Sequence, residues 1–453
     1  MEGNIPTPRF PRSQPPLAYQ AGLFFVTAGM IVLPVLYLAL TAFAGWAVYY
    51  FATHYFPAIW AWPGRGYYGL IVKALASFTP LLAGIAIAIA MVKPLFARRH
   101  SQMQPLALDP AIEPRVYELA GRVCQLVGAP APQRIEVDCD LNASARLNRG
   151  LFNFFRQDFV LTLGMPLVAG LTERQLAGVI AHEFGHFRQP VGLRLTSLIR
   201  RVNHWFARVV YERDGWDEAI ESMSASVEGW VALMVGGARA GVAVSRGILW
   251  VLMMTGHGLS GFLLRQMEYD ADRWEIEIAG SEHFESTMLR IASLEAVFQE
   301  IHREMQRTWQ RTLQLPDNLP VLVDYRAAKL SEKKRAKAES AIDSEKAGWF
   351  DTHPSPADRM QRARQIAAPG IVEGDSPAKT LFENFDTISR LVTLAHYEDD
   401  LNVPTAPDFL IPLEKLVRAE TDPASAPASP TAPAVPMMAY NPAAFRRETG
   451  EGE

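Results

Sequence analysis

The sequence predicts an α+β protein, mostly helical. An N-terminal transmembrane hairpin precedes a domain that combines a small mixed sheet with a helix carrying His182-Glu183-Phe184-Gly185-His186. Three observations predict it. The first hundred residues contain two long uncharged apolar runs, short strand-like segments follow, and a capped helical pattern then runs through the histidine pair. At 453 residues the chain could hold two or three average domains, but the membrane takes a share first.

The hairpin comes first in order. From Arg12 to His54 no formal charge intervenes, and residues 21 to 51 are apolar almost throughout. That exceeds the roughly 20 residues needed to cross a bilayer. It is also longer than the apolar part of a signal peptide, and Pro34 does not prevent a helix in lipid. Ala74 to Val92 forms a second uncharged run, with Tyr67, Tyr68 and Lys73 at its start. Arg9 and Arg12 precede the pair and Lys93, Arg98 and Arg99 follow it, against Arg65 alone in the connecting loop. The positive-inside rule then places the N-terminus (1–16) and everything after the hairpin (17–95) on the cytoplasmic side. On that reducing side Cys124 and Cys139 are expected to be free thiols, and neither has a CxxC partner. A net charge of −4 gives no footprint for nucleic acid.

Within residues 101–400, Glu113 to Val127 has helical periodicity, ended by Ala129-Pro130-Ala131-Pro132. Arg134 to Asp138, Asn142 to Arg149 and Asp158 to Leu163 read as strands, the last ended by Gly164. Thr172 to Arg188 reads as a helix, with Thr172 and Gln175 in capping-box positions and Leu176, Val179 and Ile180 on its apolar side. An apolar tract at 229–264, broken near Ser245-Arg246-Gly247, is read as a helical pair, either membrane-inserted or part of a soluble core. Arg239 within it costs about 2.5–3.5 kcal/mol on insertion scales. If His182 and Glu268 share a site, the chain between them crosses the membrane zero or two times. Residues 283–312 form an amphipathic helix, and 326–347, including Lys333-Lys334-Arg335, a solvated one. The Pro- and Ala-rich tail at 421–453 is expected to be disordered.

The chemistry lies in HEFGH. Histidines at i and i+4 share one helix face, where both can offer a nitrogen to a single zinc ion, and the glutamate between them is placed to act as a base. A catalytic zinc needs a third protein ligand. Gln189-Pro190 interrupts the stretch where a nearby third histidine would fall, so a distant carboxylate must serve. Glu268 in Arg265-Gln266-Met267-Glu268-Tyr269-Asp270-Ala271-Asp272 is the best candidate. Glu268 and Asp272 are again i, i+4, so one can ligate while the other orients a ligand histidine. An ordinary acidic helix face would show the same spacing.

HEFGH, the upstream Asn142-Ala143-Ser144-Ala145, the downstream RQMEYDAD and the later Thr352-His353-Pro354-Ser355-Pro356 with Arg359 together resemble the integral-membrane gluzincin metallopeptidase family of HtpX and the type I CAAX prenyl proteases, over roughly residues 105–365. The resemblance implies a zincin-like catalytic domain holding one Zn²⁺ per subunit on His182, His186 and Glu268. It makes Glu183 the catalytic base and Asp272 the partner beside the ligands. It also implies Asn142 at the edge strand flanking the cleft and His353 beside the reaction centre. Ser144 in place of the family's aromatic residue, and the long insert before residue 351, are departures that bear on substrate choice. The implied protein is integral to a bacterial-type inner membrane and takes polypeptide substrates, membrane or misfolded proteins in quality control. Specific processing of the CAAX type, or a non-catalytic membrane scaffold with a structural zinc site, are the alternatives.

Overall fold

A computed structural model describes residues 17–64, 66–96, 105–147, 159–187, 190–211, 230–312, 314–344, 354–400, 403 and 409–421. Its architecture is the expected one: mostly helical, with one small mixed sheet and a long apolar hairpin at the N-terminus.

The hairpin is built from α1 (Leu17–Tyr50), which continues through a π-turn into α2 (Phe56–Ala61), and from α3 (Tyr67–Val92). Helix α3 starts seven residues before the predicted apolar run, so Lys73 lies inside it. Its Nζ donates to the Trp60 carbonyl at 3.2 Å, which keeps the charge at the tip of the hairpin. Phe24, Phe25, Phe43 and Leu75 project outward and are exposed, as lipid-facing side chains are.

The tract expected to break near residue 246 does not break. It is part of a single helix, here α8 (Trp230–Ala279), of 50 residues. Of the residues read as punctuation, Ser245 is a packing contact, while a Cβ on Gly247 would meet open space. A Cβ on Gly241 would lie 3.0 Å from the Ala86 carbonyl of α3. One turn on, Ser245 Oγ donates to the Ala90 carbonyl at 3.3 Å and shares a hydrogen bond with the Tyr37 hydroxyl of α1 at 3.2 Å. Small residues four apart let apolar helices approach closely, so Gly and Ser here strengthen a helix pair rather than end a helix. Among the described residues, three helical stretches are long and apolar enough to cross a membrane: Ala21–Ala61, Tyr67–Leu95 and Arg239–Ala279. With α7 (Pro190–Tyr211), they enclose a core of Leu23, Met30, Tyr37, Ile199, Phe206 and Met253.

A second core lies over the sheet. Strands β1 (Leu106–Ala107), β2 (Arg134–Asp138), β3 (Ala143–Leu147) and β4 (Phe159–Gly164) run in the order β1-β2-β4-β3. The β2–β4 pair is parallel and the two outer pairs are antiparallel. Every residue of β4 is buried. Gly164 closes it because a Cβ there would fall 1.8 Å from the Asp140 carbonyl. Against this sheet pack α4 (Pro114–Val127), α5 (Met165–Gly170) and α6 (Glu173–Gly185), through residues such as Val116, Val168 and Ile180. Helix α9 (Ser281–Thr312) adds Leu294 and Phe298 to the same core.

The solvated helix expected over 326–347 is two helices. Residues 326–328 end α10 (Leu319–Ala328), and α11 (Glu332–Ser344) begins anew after a break. Asn318 caps α10 through the Val321 N–H, and α10 turns Leu319, Leu322, Val323 and Ala327 into the core, so that of the expected solvated stretch Ala327 is buried. Lys334 lies on the exposed α11 and pairs with Glu300 at 2.8 Å. The C-terminal tail after residue 421 lies outside the described residues.

Candidate metal centre

Helix α6 starts where the capping box predicts. Thr172 accepts from the Gln175 N–H, and the Gln175 side chain accepts from the Thr172 N–H at 3.1 Å. Leu176, Ala177, Ile180 and Phe184 are buried on its core side. The helix ends at Gly185, so His186 sits in the turn that follows.

Two glycines bring α6 against α8. A Cβ on Gly178 would lie 2.8 Å from Ala279 Cβ and 3.2 Å from Glu275 Cγ, and one on Gly185 would lie 3.1 Å from Ala271 Cα. They are seven residues apart, two turns, and so share a face. That contact carries His182 and His186 to the acidic stretch of α8. His182 Nε2 is 3.4 Å from Glu268 Oε2, and His186 Nε2 is 3.6 Å from Glu268 Oε1. The imidazole planes are nearly perpendicular, at 89°. Ligand atoms of His182, His186 and Glu268 all lie within 4.8 Å of one another.

These residues fit a zinc ion on donor chemistry and on spacing. Zinc takes imidazole nitrogen and carboxylate oxygen at about 2.0–2.2 Å in tetrahedral geometry, for which ligand atoms sit about 3.4 Å apart. The observed 3.4 and 3.6 Å separations are of that size. Asp272 and Glu275 lie on the far side of His182, with carboxylate oxygens 3.1 and 3.6 Å from Nδ1. Asp272 in turn receives a two-pronged bond from Arg359, Nε at 2.9 Å and Nη2 at 2.6 Å. Arg359 is presented by α12 (Pro356–Ile366), whose N-cap is Ser355, accepting from the Asp358 N–H at 3.1 Å, with Pro356 opening the first turn. The Ser-Pro pair of the later motif is thus the start of the helix that delivers Arg359.

Burial and charge set the protonation here. Glu183 is held above the usual carboxylate range by burial, which the charges of His182 and Arg200 and a hydrogen bond from the Ala145 N–H at 3.2 Å oppose. Burial works against a charged His182, but hydrogen bonds to Asp272 and Glu268 outweigh it and push its pKa well above the ordinary value. His186 is pushed down to about 3, by burial first and by His182 second.

Strand β3 is the sheet edge nearest the site. The Asn142 carbonyl accepts from the Gly164 N–H at 2.7 Å, so residues 142, 144 and 146 turn their backbone groups to β4. Ala143, Ala145 and Leu147 turn theirs outward, and Ala145 spends its N–H on Glu183. Asn142 is exposed, immediately before the strand. His353 lies outside the described residues.

The structure therefore brings His182, Glu183, His186, Glu268 and Asp272 together. It adds three groups that sequence reasoning did not give a place: Glu275, the backbone of Ala145, and Arg200, whose Nη2 is 2.9 Å from Glu268 Oε1. The i, i+3 spacing of Asp272 and Glu275 was a signal for the first. Residues 111–367, more than half of the chain and including each of these groups, match the model of peptidase family M48. No curated protein and no solved structure matches the chain.

Proposed function

This chain belongs to peptidase family M48, and we propose from that premise that it is a membrane-bound zinc endopeptidase with His182, His186 and Glu268 as metal ligands and Glu183 as general base. A membrane-associated metallopeptidase, hence a hydrolase, already follows from the family and from three helices apolar enough to cross a bilayer. The observation that carries the finer reading is the convergence of two imidazole nitrogens, from α6 and the turn that ends it, with one carboxylate from α8, beside the half-buried Glu183.

When bound, zinc supplies a Lewis acid that polarises the scissile carbonyl and acidifies the attacking water. Glu183 takes the proton from that water. Its raised pKa suits a group that must both accept a proton and release it to the leaving nitrogen. The Ala145 N–H holds Glu183 Oε2 and leaves the other oxygen for the transfer. Asp272, itself held by Arg359, orients His182. We assign His353 a place beside the developing oxyanion and Asn142 one at the mouth of the cleft, both on the motif resemblance.

The outward backbone of β3 suits a substrate added as a further strand, which places a peptide bond without demanding a sequence. The site also lies close to the bilayer. Phe262 on α8 is 72 % exposed among apolar neighbours, and Glu268 follows it by six residues, about 9 Å of helix axis. Both features suit unfolded segments of membrane proteins, and so a role in their quality control. The Lys and Arg asymmetry of the hairpin supports a cytoplasmic orientation of this face.

The test is Glu183→Gln in purified full-length protein. It should keep about one zinc per chain while chelator-sensitive cleavage of casein falls by at least about 10²-fold, the lower end for a lost general base. Full proteolysis by this variant would refute the assignment.

A further inference from the structure

Arg200 has no part in the chemistry proposed above, yet it touches the centre directly. It extends from α7 and donates from Nη2 to Glu268 Oε1 at 2.9 Å. Its own side chain is 46 % exposed while that of Glu268 is 5 % exposed, so a solvent-facing cation reaches into a buried carboxylate. Its backbone is firmly placed. Ile199 and Phe206 are fully buried in the bundle core, and Asn203 Nδ2 donates to Ser260 Oγ of α8 at 3.1 Å, two turns before Glu268.

The two oxygens of Glu268 have different neighbours. Oε2 lies 3.4 Å from His182 Nε2, whereas Oε1 lies 3.6 Å from His186 Nε2 and is the oxygen Arg200 holds. A carboxylate with an oxygen toward each histidine can ligate through either oxygen or through both. Resting on the zinc reading, we propose that Arg200 is a positioning residue that keeps Glu268 a one-oxygen ligand. A charge-assisted hydrogen bond draws the lone pairs of Oε1 toward the guanidinium, and the guanidinium repels a second cation from that oxygen. The metal is then left with Oε2. A hydrolytic centre of this type uses three protein donors and keeps a fourth position for water and substrate, and a two-oxygen Glu268 would crowd that position. Arg200 thereby protects the open position without touching the substrate.

The experiment uses the full-length protein in detergent, loaded with cobalt in place of zinc, because the visible bands of cobalt are strong in four-coordinate sites and weak in five-coordinate ones. Wild type should show the strong bands. Arg200→Met should lose them severalfold per bound cobalt. Its kcat on casein should fall about 10-fold or more with KM within about twofold, the size of effect expected for a group that orients a ligand. Arg200→Lys, which keeps a cationic donor, should recover most of the band intensity and of kcat. Arg201→Met, at the exposed neighbouring position, should leave both unchanged.

Wild-type bands and kcat in Arg200→Met would overturn the inference. So would a variant that merely binds cobalt more weakly while each bound ion keeps its full spectrum, since that is the mark of a structural tie. If Arg200→Met does not fold, Arg200→Gln, with a neutral donor, should give bands between those of wild type and the weak form, and unchanged bands would again overturn it. A wild type that binds neither zinc nor cobalt would overturn the metal reading itself. A cobalt spectrum indifferent to residue 200 leaves that reading standing and removes only the role of Arg200.

Discussion

Gly178→Ala adds one methyl group where α6 crosses α8, and the structure sets the size of the response. The new carbon would sit 2.8 Å from Ala279 Cβ, against about 3.5–4.0 Å for a relaxed carbon contact, so the helices must part by about 0.7 Å or more. Overpacking of this kind costs about 1–3 kcal/mol, and replacing glycine inside a helix returns up to about 1 kcal/mol. The chain should therefore stay folded, with a net loss of about 0–3 kcal/mol. The centre should not be so tolerant. His182 lies one turn beyond Gly178, and its 3.4 Å approach to Glu268 spans the two helices being forced apart. Functional constellations tolerate about 0.5 Å of misplacement, so the displacement should lower zinc affinity by at least about tenfold, or 1.4 kcal/mol. Competition against a chelator of known affinity measures it, with circular dichroism to confirm the helices. A folded variant with wild-type zinc affinity would refute the claim that the α6–α8 contact sets the ligand spacing.

Arg359→Met removes the two-pronged partner of a buried carboxylate. It should destabilise the protein by about 3–5 kcal/mol in thermal or denaturant unfolding, and the double variant with Asp272→Asn should recover part of that loss; a single variant within 1 kcal/mol of wild type would contradict the pairing. Zinc binding should strengthen with pH across neutrality, because His182 holds its proton well above the ordinary range and must release it to ligate. The sign for chelator-treated protein is opposite. A raised folded pKa contributes stability that is present at low pH and is lost as pH rises through that pKa, so the metal-dependent increment in melting temperature should grow with pH. A flat increment would count against proton competition at His182.

The features legible in the sequence were those written locally. The α6 capping box, the period of Leu176 and Ile180, strand β2 and the i, i+4 pairs of histidines and acids each occupy a few consecutive residues, and each is where the sequence places it. Ser245-Arg246-Gly247 misled because small residues that interrupt a helix in water are tolerated between apolar helices, where Ser245 binds the end of α3. Arg200 was invisible for a different reason. Its partner is 68 residues away, and nothing along α7 separates an arginine aimed at a buried carboxylate from one aimed at solvent. The outward face of Ala145 likewise emerges only once β3 is registered on β4.

The unbroken course of α8 has a consequence for reach. One stiff rod of 50 residues, about 75 Å long, carries both an apolar tract and Glu268, with no joint between them to absorb a change of height. The depth at which its apolar surface rests is therefore also the height of the proposed metal centre above the lipid. A thicker bilayer shifts or tilts such a rod at a cost of fractions of a kcal/mol per ångström, so under the proposed function the length of chain that must protrude before it is cut would be gauged by the membrane itself.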